Sequence, residues 1–380
     1  MPKNTSTDKH PTYIEGEGWR YDHEPSMKRR RQGHDYQGRR IYMVTLSVEG
    51  RRPLLGHLAY REGNDEPYIE PTPLGQAVEQ QWQGIPHYYP EVKMLAFQLM
   101  PDHIHGLLFV TRHSRAHLGQ IVNGFKVGCN RAYRQIVLRQ VHYPEAEPQE
   151  TPLPQETPLP HETPLPQETP LPRPKHPDHG LLFETGYQDS ILTLDGQLAH
   201  MFRYIADNPR RLAIKRANPN LFRVVRDLAV GGRSYAAIGN HWLLEWPTRL
   251  QVRCHNNNTP DNLRLIEKQK VWLMDRGRHG GVLVSPCIAP GEREIARAAL
   301  DAGLPLIVIL ENGFPPMYKP PGMYFEACAK GLLLMLTPWP YHADRRAITR
   351  QQCLELNAMA QEISNVPWTI EQEEALKGRP

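Results

Sequence analysis

The stretch at 93–110, KMLAFQLMPDHIHGLLFV, decides how this chain reads. KMLAFQL (93–99) and HIHGLLFV (103–110) are apolar runs suited to a pleated surface, and Met100-Pro101-Asp102 between them makes a tight turn. The stretch therefore predicts two adjacent antiparallel strands. Side chains two apart on a strand point to the same face, so His103 and His105 project together while Ile104 turns to the core. Two imidazoles side by side are a ready pair of ligands for a divalent metal. For H-x-H alone, two solvent-facing histidines are the default.

Upstream, IYMVTLSV (41–48) reads as a strand and LLGHLAY (54–60), after a short turn, as its hairpin partner. A short helix is expected at 75–83. Downstream, Leu118, Ile121, Val122, Phe125, Cys129, Tyr133, Ile136 and Val137 recur at threes and fours, which predicts an amphipathic helix over 116–140. Lys126, Arg131, Arg134 and Arg139 are offset from its apolar stripe. This order of elements predicts an α+β fold, an antiparallel sheet with helices on one face. Residues 1–40 are polar, with KRRR at 28–31, and read as an irregular basic arm.

Twelve of the 37 prolines fall between Pro144 and Pro177, so the excess of proline marks one segment. Four copies of a hexapeptide, ETPLPQ-ETPLPH-ETPLPQ-ETPLPR, occupy 150–173. Two prolines in six residues forbid helix and central strand and leave polyproline-II-like extension, a semi-rigid spacer or a ligand for a proline-binding domain. Structure resumes with GLLFETGYQDSIL (180–192) and a helix at 196–207 that Pro209 closes. In FRYIADNP (202–209), Tyr204 and Asn208 are four apart and share a helix face. A phenol there can act as a nucleophile, with an amide oxygen one turn away beside a metal; a half-buried tyrosine before an Asn-Pro helix stop is the plain alternative.

Residues 223–254 read as short strands and turns. From 262 the order is helix (262–278), strand GVLVS (281–285), helix (293–302), strand LPLIVIL (304–310), helix (325–329) and strand LLLMLT (332–337). Apolar strands alternating with helices predict a parallel, Rossmann-like α/β sheet. The expected layout is an arm at 1–40, a first domain at 41–224 interrupted by the linker at 144–178, and a second at 225–370.

Composition narrows the class. No apolar run approaches the ~20 residues of a membrane span, and the N-terminus lacks the apolar core of a secretory signal. The five cysteines (129, 254, 287, 328 and 353) form no short-spaced pairs, so neither a zinc ribbon nor a disulfide framework is expected, and a reducing, cytoplasmic setting is. The net charge of +4 is small, but residues 112–139 hold six Lys/Arg and no acid, and 203–226 hold seven against Asp207 alone. Such stretches fit a polyanion partner, or two solvated helix faces.

Taken together, M-P-x-H-hydrophobe-H, the basic helix after it, G-Y-x-x-x-I-L (186–192) and Y-I-x-x-N-P resemble the HUH-endonuclease superfamily, specifically single-tyrosine transposases of the REP-associated type, over roughly residues 41–222. The resemblance implies a ferredoxin-like HUH domain that cleaves and rejoins single-stranded DNA. His103, His105 and Asn208 would hold Mg²⁺ or Mn²⁺, and Tyr204 would attack phosphorus to give a 5′-phosphotyrosine, with Tyr187 the lesser candidate. Arg131, Arg134, Arg203, Arg210 and Arg211 would contact DNA carrying hairpin or palindromic repeats, in the nucleoid of a bacterium. Because the spacer separates histidines from tyrosine, assembly can be in cis or swapped, and a homodimer is expected. A domesticated DNA- or RNA-binding protein of the same fold without transposition is the alternative.

VLVSPCIAPGEREIARAALDAGLPLIVILENGFP (282–315) is similar to the phosphate-binding region of the DprA/LOG type of Rossmann fold, over about 262–345. That resemblance makes Ser285 and Gly291, at a helix N-terminus, a candidate anion site through which a nucleotide would regulate a nuclease. The chain departs from the pattern with Pro286, Cys287 and Pro290, where a glycine-rich cradle is expected. A structural or DNA-binding domain is equally compatible.

Overall fold

The computed structural model describes residues 31–138 and 181–377, apart from 32, 64, 256–258, 316–317 and 345, together with two short paired strands, β1 (Thr12–Ile14) and β2 (Gly18–Arg20). The linker expected at 144–178 lies outside these residues, as does most of the N-terminal arm. The chain divides into two compact units, Met1–Leu212 and Ala213–Pro380. The division falls inside a helix, earlier than residue 225.

In the first unit the chain runs through β3 (Arg40–Ser47), β4 (Gly56–Tyr60), β5 (Pro67–Pro71), α1 (Pro73–Gln83), the short α2 (Ile85–Tyr88), β6 (Val92–Met100), β7 (His103–Val110), α3 (Leu118–Tyr133), β8 (Gln188–Leu192) and α4 (Gln197–Ala217). Four strands form an antiparallel sheet in the order β6-β7-β3-β8. The hairpin expected between 41–48 and 54–60 is absent. β3 pairs with β7 and β8 along its two edges, and β4 pairs with β5 in a separate ribbon. PYIEP hides that partner strand in the sequence, because its prolines stand at the strand ends, where a missing N–H does least harm.

Helices cover both faces of the sheet, not one. Even-numbered residues of the central strands (Tyr42, Val44 and Leu46; Ile104, Leu108 and Val110) pack against Val78 and Trp82 of α1 and Ile121, Phe125 and Cys129 of α3. Odd-numbered Met43 and Leu107 pack with Leu192 and with Ile205, Leu198 and Met201 of α4. Burying such a side chain stabilises by roughly 1.5–3 kcal/mol. Both layers therefore contribute substantially.

α4 does not stop before Pro209 but continues through it to Ala217. A proline inside a helix removes one N–H bond, here the one that would reach the Ile205 carbonyl. The Asn208 side chain compensates: its Nδ2 donates to the Tyr204 carbonyl at 3.0 Å and to the Ile205 carbonyl at 3.4 Å.

The second unit contains β9 (Val225–Val230), β10 (Arg233–Gly239), β11 (Arg249–Gln251), α5 (Pro260–Arg278), β12 (Val282–Ser285), α6 (Pro290–Asp301), β13 (Leu306–Ile309), α7 (Gly322–Ala329), β14 (Leu333–Thr337), α8 (Arg350–Ile363) and α9 (Ile370–Lys377). One six-stranded mixed sheet runs β11-β12-β13-β14-β10-β9, parallel from β11 to β14 and antiparallel beyond. Residues of α5, α6 and α7 fill one face and those of α8 the other. The parallel strands follow chain order without reversal. They therefore contain no point where strand order turns back, the place at which open α/β sheets commonly bind ligands.

Gly106 shows how tightly the first sheet is covered. A Cβ there would lie 2.1 Å from Cζ2 of Trp82, whose ring is fully buried between Phe97 and Phe125. Gly106→Ala is expected to lower unfolding stability by roughly 1–3 kcal/mol, as overpacked cores do, measured by urea denaturation.

Candidate active site

His103 and His105 leave β7 on the face that α4 covers, each only 5% exposed. Their Nε2 atoms are 3.2 Å apart and their rings stand at 85°. Both Nδ1 atoms have partners: Asp102 Oδ1 lies 2.6 Å from His103 Nδ1, and Thr45 Oγ1 lies 2.9 Å from His105 Nδ1. Arg51 reaches the other Asp102 oxygen at 3.5 Å. Burial works to raise the Asp102 carboxyl, and the hydrogen bond and charge of His103, with Arg51, outweigh it and hold it below its usual range. An ionised carboxylate only accepts, so the proton between Asp102 and His103 sits on Nδ1.

These residues fit a divalent cation. Two ligands of one ion, each at about 2.1 Å, stand about 3.0 Å apart at right angles and about 3.4 Å apart at the tetrahedral angle. The Nε2 separation falls between the two. A histidine ligand that donates its other ring nitrogen to a carboxylate is the usual outer support of a metal site, and Asp102 supplies it. Among the described residues no three His, Cys, Asp or Glu side chains form such a group, so a third ligand from these residues would be of another type.

Tyr204 comes to this pair within the same unit, its ring 5.7 Å from that of His105 and edge-on. Burial raises its phenol above the ordinary value, and the Arg211 guanidinium pulls the other way. The phenol is therefore neutral near pH 7 and must lose its proton to attack. Asn208 lies one turn beyond on the same helix, 4% exposed. Both partners of its Nδ2 are carbonyls, which only accept, so its amide orientation is determined and Oδ1 is its ligand-type atom. Tyr187 belongs instead to the opposite layer, packed against the core of α1 and α3.

The arginines divide. Arg131, Arg134 and Arg203 are exposed. Arg210 is committed to Asp207, with contacts of 2.5 and 3.2 Å, and Arg211 is 3.9 Å from the same carboxylate and mostly buried. Asp207, the one acid of the basic stretch, is thus held by two of its cations.

In the second unit, Ser285 is fully buried and its Oγ accepts from Cys287 N at 3.1 Å. Gly291 is packed under Ile266 and Cys254, which a Cβ would meet at 2.7 and 3.1 Å. Three backbone N–H groups around the entry to α6 are occupied: the Glu292 carboxylate accepts from Ile288 N (2.8 Å), Ala289 N (3.0 Å) and Cys254 N (3.2 Å). Burial raises the Glu292 carboxyl, against these three donors. The chain's own side chain stands where the candidate anion site was expected. The sequence signal was present, since Glu292 is three residues past the N-cap of α6, but Ala289 at the cap masks the usual capping pattern. Asp102 and Thr45 were also missed. Asp102 reads as a turn former, and only strand register sets Thr45 opposite His105.

No protein-family model matches the chain. A Haemophilus influenzae protein, itself uncharacterized, is 28% identical over 75 residues, which is 20% of this chain and 38% of that protein's length. Among solved structures, DNA processing protein A of Helicobacter pylori, described for its single-stranded DNA binding mode, is similar at 12% identity over 41% of this chain and 73% of its own, with a TM-score of 0.29. A REP-associated tyrosine transposase bound to a REP hairpin is similar at 11% identity over 48% of this chain and 73% of its own, with a TM-score of 0.28. At these scores the likenesses are distant, and the reading of the site rests on its own geometry.

Glu292→Ala leaves three N–H groups without their acceptor and is expected to destabilise the second unit by at least about 1–3 kcal/mol. Glu292→Gln keeps an acceptor oxygen and should lose less; thermal unfolding of the two variants checks the order.

Proposed function

We propose that the chain is a metal-dependent, single-tyrosine transposase of the HUH type, which cleaves and rejoins single-stranded DNA carrying hairpin or repeat ends. One observation carries this reading: the imidazoles of His103 and His105 pair through Nε2, and the Tyr204 ring lies 5.7 Å from that of His105. A protein that only binds nucleic acid has no use for two buried imidazoles with both outer nitrogens engaged beside a half-buried phenol. The connectivity strand-helix-strand-strand-helix-strand, in the order β8-β3-β7-β6, supports reading the first sheet as a ferredoxin-like HUH core. We read the second unit as a Rossmann-like accessory domain without a nucleotide site, given the Glu292 carboxylate bonded into the loop before α6 and the unreversed strand order.

In this reading His103, His105 and Asn208 would hold one Mg²⁺ or Mn²⁺, which would supply Lewis-acid polarisation of the scissile phosphate. The Tyr204 hydroxyl oxygen attacks phosphorus and the bond to the 3′-oxygen breaks. The phenolic proton is lost, the 3′-hydroxyl gains one, and a 5′-phosphotyrosine remains. The covalent link keeps the site able to reseal strands. Arg211, the cation acting on Tyr204, favours its charged form as that proton leaves.

The test is incubation with single-stranded oligonucleotides and Mn²⁺. A covalent protein–DNA adduct is expected from the wild type and none from Tyr204→Phe, His103→Ala or samples in EDTA. An adduct persisting in Tyr204→Phe would falsify the nucleophile assignment. Co-expressing a Tyr204→Phe chain with a His103→Ala/His105→Ala chain separates cis from swapped sites, because only swapping restores cleavage.

The exposed arginines supply affinity for the phosphate backbone. Arg131→Ala, Arg134→Ala and Arg203→Ala should each weaken single-strand binding and reduce the slope of log K against log salt by about 0.7. Arg210→Ala, whose side chain is already held by Asp207, should change that slope least. Fluorescence anisotropy across a salt series measures both.

A further inference from the structure

We propose that Arg51 is a substrate-binding residue, which holds a backbone phosphate of single-stranded DNA beside the imidazole pair. The inference rests on the nucleic-acid reading above and adds to it a residue outside the ligand set and outside the basic helices.

The turn that carries Arg51 is strained. After β3 the chain makes the tight turn Glu49–Arg51, in which both Gly50 (φ 66°) and Arg51 (φ 55°) lie in the left-handed region. Glycine enters that region freely, whereas an arginine there brings its Cβ too close to the backbone. Such a residue persists only where the surrounding structure over-determines it, and these positions gather at functional sites. The surroundings do fix this turn, and they do so without the Arg51 side chain. Val48 N donates to the Asp102 carbonyl, Glu49 N to the Leu182 carbonyl and Arg51 N to the Val48 carbonyl, each at 2.9 Å. The next residue, Arg52, is buried, and donates from Nε to the Glu49 carbonyl at 3.0 Å and from Nη1 to the Tyr133 hydroxyl at 2.9 Å.

Two adjacent arginines thus have separate duties. Arg52 is built into the core, while the Arg51 side chain is 35% exposed. Among the described residues its guanidinium makes one polar contact, to Asp102 Oδ2 at 3.5 Å, out of five N–H donors. An ion pair so long and so open to water contributes little to stability. Neither packing nor pairing therefore accounts for arginine where glycine fits better. Its placement does. Ser47 stands opposite His103 in the β3–β7 ladder, so the turn begins beside the imidazole pair. The carboxylate that Arg51 reaches lies, through its other oxygen, 2.6 Å from His103 Nδ1. A guanidinium with spare donors at that point matches a phosphate, which accepts two parallel N–H bonds from the planar fork.

The experiment follows binding of a fluorescent single-stranded oligonucleotide to the full chain by anisotropy, across a salt series in EDTA, for the wild type, Arg51→Gly, Arg51→Ala and Arg51→Lys. Arg51→Gly and Arg51→Ala are expected to bind about 10-fold more weakly and to lower the slope of log K against log salt by about 0.7. Arg51→Lys, which keeps the charge and loses the fork, should keep the slope and lose part of the affinity. Urea unfolding and Mn²⁺ binding, the latter read from the paramagnetic resonance signal of free Mn²⁺, separate this role from a structural one. The urea midpoint of Arg51→Gly should not fall, because glycine relieves the turn, and the Mn²⁺ affinity of each variant should match the wild type. Unchanged affinity and slope in Arg51→Gly and Arg51→Ala overturn the assignment. So does a lower urea midpoint in Arg51→Gly, which makes the side chain a brace of the turn, or a loss of Mn²⁺ affinity, which makes it a support of Asp102. The transposase reading fails separately: if the wild type forms no covalent adduct while Arg51→Gly still weakens binding, the phosphate contact stands in a protein that only binds DNA.

Discussion

The rest of the first unit depends on strand His103–Val110 being covered on both sides. A strand alternates its side chains between two faces, so closing one face with α1 and α3 and the other with α4 gives every residue of this strand an assigned environment. Ile104, Leu108 and Val110 go to the larger core, Gly106 yields its place to the Trp82 ring, and Leu107 anchors α4. The two histidines emerge on the α4 side. A shift of one residue in pairing would send the imidazoles into the aromatic core and the glycine to the active face. Register and chemistry are therefore one constraint.

That constraint also sets what α4 can do. Its inward residues Leu198, Met201 and Ile205 hold it on the sheet, and Tyr204, next to Ile205, comes to lie against His105. The helix must continue past Pro209 to carry Arg211 in the same unit. Asn208 makes the continuation possible by bonding two carbonyls of the preceding turn. One side chain thus repairs the helix with its nitrogen and keeps its oxygen as a ligand-type atom. Helix continuity and site chemistry meet in a single amide.

The second unit follows another logic. The loop entering its helix at Pro290 is bonded internally by Glu292, and its four parallel strands run in chain order. A buried carboxylate with three backbone donors does the work that a bound phosphate does in a nucleotide site. The fold closes there on itself. Much of this was visible beforehand, since prolines at 286 and 290 already spoke against a glycine-rich cradle, but the occupant was not.

Residue order alone determined the two adjacent strands at 93–110, the helix at 118–133, the shared face of His103 and His105, and the alternation of apolar strands and helices after 262, because periodicity is a local property of the chain. The apolar run LLFV even held the sign of a second helical layer, since a strand closed on one side has no need of apolar residues on both. Tertiary structure decided the rest. Strand 40–47 took its neighbours from 103–110 and 188–192 instead of 54–60, Tyr204 was brought to His105 across nearly a hundred residues of chain, and Thr45 became a partner of His105. Those are long-range pairings. Their energy comes from contacts between distant segments, which no local pattern records.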